Sequence, residues 1–123
     1  MAKKFLLKTV KWFIPANLVA DVLDRSKDVQ WDYNYKKEIR GYLSLPLNRQ
    51  QGFTFDEQIM SMYVRSKLDE AKDGDELLLE NKDFEHLMAK VKNHHPMILC
   101  PPHTQLIQEL EEANKTDIDV NKL

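Results

Sequence analysis

A chain of 123 residues, 42% apolar and 31% charged with a net charge of −2, is long enough to bury one core without disulfides or metals. Three glycines and five prolines exclude a loop-rich β fold and a disordered linker. A single cysteine excludes an intrachain disulfide framework and fits a reducing, cytosolic setting.

The start, MAKKFLLKTVKWFI, has its apolar run interrupted by Lys8 and Lys11, so it reads as neither a secretory signal nor a membrane span, and a soluble protein is expected. From Lys3 to Ile14 the β-branched and aromatic residues show no strict alternation and no helical stripe; a short strand or an arm is expected there. Pro15 suits the first turn of a helix, and Leu18, Val19, Val22 and Leu23 recur at helical spacing up to about Ser26. Trp31, Tyr33 and Tyr35 alternate with polar residues at the strand period, while Tyr35, Ile39 and Tyr42 share a helical stripe that Gly41 weakens and Pro46 ends. An extended piece leading into a short helix satisfies both patterns.

Thr54 and Glu57 form a T-x-x-E capping box, after which Ile59, Met60, Tyr63, Val64 and Leu68 are expected to line the buried face of a helix. Gly74, inside the DGD at 73–75, supplies the stop. The run ELLLE at 76–80 fits a strand or a buried turn. Asn81 is placed to cap the next helix, with Asp83 and Glu85 in its first turn and Lys90 and Lys92 in its last; Phe84, Leu87, Met88 and Val91 form its stripe. A last helix begins at Thr104 with Leu106, Ile107, Leu110 and Ala113 inward, and residues 116–123 read as a loose tail. These elements describe a mainly α fold: one domain over residues 1–115, with about four helices and a small extended element near the N-terminus.

Chemistry is sparse. HHPMILCPPH, residues 94–103, gathers His94, His95, Cys100 and His103, and Cys100-x-x-His103 has a zinc-ligand spacing. Adjacent histidines point apart, however, three prolines restrict the backbone, and no second ligand pair exists; the stretch reads as a proline-stiffened connection holding no metal. Cys100, between MIL and PP, reads as a small buried hydrophobe and not as a nucleophile. Asp69/Glu70 and Glu111/Glu112 are helical neighbours that splay apart, and no phosphate loop or hydrolase motif occurs. No catalytic residue, cofactor or small-molecule substrate is therefore expected.

Two surfaces remain. Trp12, Phe13, Trp31, Tyr33 and Tyr35 are of the residue types that anchor protein interfaces, and they look surplus to a core built by the C-terminal helices. Lys3, Lys4, Lys8 and Lys11, interleaved with aromatics, suit single-stranded nucleic acid, against which stands a pI of about 6.1. The charge is also divided along the chain: ten Lys/Arg stand against five Asp/Glu up to Arg49, and eight against fifteen from Gln50 on. Such halves can attract head to tail between subunits, although ordinary solvated surface is the plainer reading.

The span 48–91 carries a pattern of Gly52, Thr54, Asp56, Glu57, Arg65, Asp69 and Ala71, then Leu77, Leu79, Glu80, Asp83 and Leu87. It resembles small bacteriophage proteins of unassigned function, in which a capped helix with an acidic start leads through an LxLExxD-like segment into a second helix. The resemblance covers about a third of the chain and transfers no catalytic residue. It implies a viral accessory protein of the host cytoplasm or the virion, acting in assembly or host takeover. The expected activity is protein contact or self-association without a membrane, with nucleic-acid binding as the alternative.

Overall fold

Leu7 and Lys8 divide the N-terminal apolar stretch into two strands, β1 (Ala2–Leu6) and β2 (Thr9–Ile14). The structure is a computed structural model that describes residues 2–14, 29–96 and 99–117, without the side chains of residues 13, 14 and 29–31. β1 pairs antiparallel with β4 (Glu76–Glu80), Ala2 opposite Glu80 and Leu6 opposite Glu76. β2 pairs antiparallel with β3 (Val29–Asn34), which sets Trp12 opposite Trp31 and Val10 opposite Tyr33. The helix expected from Pro15 to Ser26 lies outside the described residues.

Four helices complete the described chain: α1 (Tyr35–Leu43), α2 (Phe55–Glu70), α3 (Asn81–Lys92) and α4 (Pro101–Asn114). The mainly α expectation is thus corrected to mixed α/β, with two small antiparallel sheets beside the helices. The reason is non-local. β4 reads LLL in sequence, and only its pairing with β1 makes it pleat, turning Leu77 and Leu79 inward and Leu78 outward. Leu7, fully buried, is pinned where the two sheets meet: its N–H donates to the Asp75 carbonyl (2.9 Å), and Gly74 N–H donates to the Leu7 carbonyl (2.7 Å). Gly74 holds φ of +90° in this turn, a conformation costly for any residue with a Cβ.

The core draws on both halves of the chain. Phe5, Leu7, Tyr33, Tyr35 and Ile39 pack with Val64, Leu68, Phe84, Leu87, Val91, Leu106 and Leu110. The charge halves meet inside one chain, through Lys3–Asp117, Lys4–Glu76, Lys8–Glu109 and Arg40–Asp69. The first of these ties down the start of the expected loose tail, at 2.6 Å.

Two helix starts differ from expectation. β4 runs straight into α3, so Glu80 takes the cap position set by its register with Ala2, and Asn81 becomes the first helical residue instead of the cap. α4 begins at Pro101, three residues before Thr104. Prolines at its first two positions have no N–H to satisfy, and the N–H groups of His103 and Thr104 both donate to the Cys100 carbonyl.

The buried face of α2 also differs. Its inward positions are Glu57, Ser61, Val64 and Leu68, while Ile59 and Tyr63 point to solvent. Polar residues can face inward here because α3 supplies partners. Ser61 Oγ lies 2.8 Å from His86 Nε2, and Glu57 is ion-paired with Lys90. A search for apolar periodicity cannot see such pairs, so it sets the helix at the wrong rotation. The cap itself is in place: Thr54 Oγ1 accepts from Glu57 N–H at 3.1 Å. Thr54→Ala should therefore lower stability by about 0.5–2 kcal/mol, read as a lower urea midpoint at constant m-value.

Candidate interaction surface

The densest chemistry lies between β3, α1 and α4, and it is sealed. Tyr33 Oη and Tyr42 Oη are 2.7 Å apart, and His103 Nδ1 stands 3.1 Å and 3.3 Å from them. Tyr42 Oη also donates to Glu38 Oε2 at 3.4 Å. The rings of His94 and His103 lie edge to face, 5.2 Å between centroids. His103 Nε2 is buried and meets no partner in hydrogen-bond geometry among the described residues. Burial pushes the Tyr33 and Tyr42 hydroxyls and the Cys100 thiol up, so all three stay protonated at neutral pH. The adjoining recess, between Tyr42, Pro46, Lys90 and His94, has a volume of about 10 Å³, no more than one water needs. Among the described residues no three His, Cys, Asp or Glu side chains converge as metal ligands. The cluster is a hydrogen-bonded part of the core.

That core has a pH signature. Burial, ahead of any neighbouring charge, pushes His86, His94 and His103 below the ordinary imidazole range. The unfolded chain takes up protons below about pH 6.5, and the folded chain refuses them until its own lower pKa values are reached. Stability should accordingly fall between pH 7.5 and 5.5 in urea titrations. A midpoint unchanged over that range would mean the three rings reach solvent.

The residues singled out near the N-terminus are dispersed by the fold. Tyr33 and Tyr35 are core residues and present no surface to a partner, a correction that follows from how β3 leads into α1 beneath β1. Trp12 is half-buried against the core, and the side chains of Phe13 and Trp31 lie outside the described set. Lys3 is buried, donating to the Asn114 carbonyl and pairing with Asp117; Lys4 and Lys8 pair with Glu76 and Glu109. Lys11 is exposed, opposite Asp32 in the β2–β3 register.

What sequence reasoning missed is the outside of α2. Phe55 is 77% exposed, Ile59 54%, Met62 67% and Tyr63 49%. The spacing 55, 59, 62, 63 traces one stripe, two positions out of phase with the buried 57, 61, 64, 68. At about 100° per residue the stripe points almost directly away from the core. Beside it runs a groove of about 390 Å³ lined mainly by Leu43, Phe53, Gln58, Met62 and Arg65. Singly exposed apolar residues are ordinary, but four contiguous ones along two turns of helix make a patch of the kind that marks contact sites. The signal was in the sequence as a second apolar stripe, hidden by the assumption that all the apolar residues of α2 share one face.

A second recess, at the start of α1, is lined by Lys36, Lys37, Arg40 and Lys72 with Asp73. Lys36 donates to the Ala71 carbonyl and Arg40 pairs with Asp69, so half of these cations already serve the fold. Among the described residues no helix is long and apolar enough to cross a membrane. No family model, curated protein or solved structure matches the chain.

Proposed function

We propose that this chain is a non-enzymatic accessory protein that works by protein contact, with the outward face of α2 as its docking surface. The observation that carries the reading is the stripe of Phe55, Ile59, Met62 and Tyr63, which the packing of α2 leaves in water. The Tyr33–Tyr42–His103 cluster, buried beside a recess of only about 10 Å³ among the described residues, points the same way. The setting we propose is the one the phage resemblance implies, virion assembly or host takeover, in the host cytoplasm or in the virion. The nucleic-acid alternative loses support because Lys3, Lys4 and Lys8 are engaged in ion pairs within the chain.

The test is site-specific photo-cross-linking in cells. A photoreactive residue at position 59 should give a discrete protein adduct, and one at the exposed, polar position 85 should not. Ile59→Asp should keep a wild-type thermal transition, shifting stability by no more than about 0.5 kcal/mol, because the side chain contacts solvent. Position 59 giving no more adduct than position 85 would end this reading.

A further inference from the structure

We infer that the partner docking on α2 is a second copy of this chain, with the two α2 helices antiparallel about a two-fold axis. The inference rests on the reading of α2 as a docking face and deepens it by naming the occupant. It comes from the polar residues that flank the stripe. On the flank that carries Tyr63, Asp56 stands near the start of α2 and Lys67 near its end, about three turns apart. On the other flank Gln58 and Arg65 stand in the same order, acceptor first and donor later.

A two-fold axis perpendicular to both helices reverses chain direction but keeps each flank on its own side. Asp56 then faces Lys67 of the second copy, and Gln58 faces Arg65 of the second copy. Both pairings require the same centre, between Ser61 and Met62. Two flanks agreeing on one register is the observation that selects a second copy over an unrelated protein. In that register Met62 lies nearest the axis, Ile59 fits between Met62 and Tyr63 of the opposite helix, and Phe55 closes each end. A parallel pairing would instead bring opposite flanks together, setting Lys67 beside Arg65 of the second copy and leaving Asp56 beside Gln58, and would align the helix dipoles unfavourably.

Among the described residues neither Asp56 nor Lys67 makes an ion pair within 4 Å in its own chain; the Lys67 ammonium lies 5.7 Å from the centroid of the Tyr63 ring and acts on the Asp83 carboxyl only at longer range. The exposed parts of the four stripe residues amount to roughly 400–500 Å² per copy, given the usual areas of such side chains. Two copies with their flanks therefore cover about 1,000 Å², the lower end of specific interfaces. A dimer of about micromolar to 100 μM affinity follows, since an interface this small leaves little surplus over the cost of association.

Sedimentation velocity on the purified full chain, over a concentration series at fixed salt, tests this. Wild type should shift from monomer to dimer within that range, and Ile59→Asp should weaken the dimer by at least roughly 30-fold without unfolding the chain. Asp56→Lys and Lys67→Glu should each weaken it by about 5–10-fold, and combining them should restore it to within about threefold, because the pair is re-formed with its signs exchanged. A dimer indifferent to Ile59→Asp, or a double variant no better than the singles, overturns the proposed pairing. Monomeric wild type with a position-59 adduct to a different protein overturns self-pairing and leaves the contact reading standing. Monomeric wild type with no adduct overturns both.

Discussion

Lys90→Met alone is expected to destabilise the fold by about 3–5 kcal/mol, the cost of stranding a buried charge. The Lys90 side chain is 2% exposed and that of its ion-pair partner Glu57 9%. Its ammonium also donates to the Leu45 carbonyl at 2.5 Å and lies 4.7 Å from the centre of the Phe53 ring. Removing it leaves Glu57 in the α2–α3 interface with only the Leu47 and Thr54 neighbourhood to stabilise a negative charge. The double variant Glu57→Gln/Lys90→Met should recover most of the loss, because the amide oxygen still accepts from Leu47 N–H (2.8 Å in wild type) and no charge stays buried.

The pair also has a pH signature. Burial works to raise the Glu57 carboxyl, but the Lys90 ammonium and the Leu47 N–H outweigh it and hold the carboxyl below the ordinary range. A depressed folded pKa contributes stability above the unfolded value of about 4.3, lost as pH falls through the folded one. Acid titration of the urea midpoint in wild type and in the double variant should show that component only in wild type.

Tyr35→Ala is the second large effect, again about 3–5 kcal/mol, as for other truncations of a fully buried aromatic. Tyr35 is the first residue of α1 and is fully buried. It stacks on Phe5 with centroids 5.8 Å apart and meets Tyr33 edge-on at 6.1 Å. Its hydroxyl donates to Glu109, which also pairs with Lys8, so one ring joins β1, α1 and α4. Tyr35→Phe should cost less, about 1–3 kcal/mol, because Glu109 loses one donor and keeps Lys8. Both variants should leave the sedimentation of the folded fraction unchanged, because the side chain lies inside the molecule. A Tyr35→Ala protein that melts like wild type but associates differently would place Tyr35 on the surface and contradict this packing.

Much of the local structure was legible from the chain alone, wherever local physics decides it. The Thr54 cap, the α3 stripe of Phe84, Leu87, Met88 and Val91, and the extended-to-helical change at Tyr35 each depend on residues within a few positions of one another. The tertiary structure decided what depends on partners distant in sequence. β1 is a strand because Glu76–Glu80 lies alongside it, and Tyr33 and Tyr35 are core because α4 closes over them. The rotation of α2 is the clearest case. Apolar periodicity alone would bury Ile59 and Tyr63, but Lys90 and His86 on α3 pair with Glu57 and Ser61 and draw that polar face inward. Satisfied polar pairs can occupy a core, and the apolar residues they displace are left facing water, where the candidate surface lies.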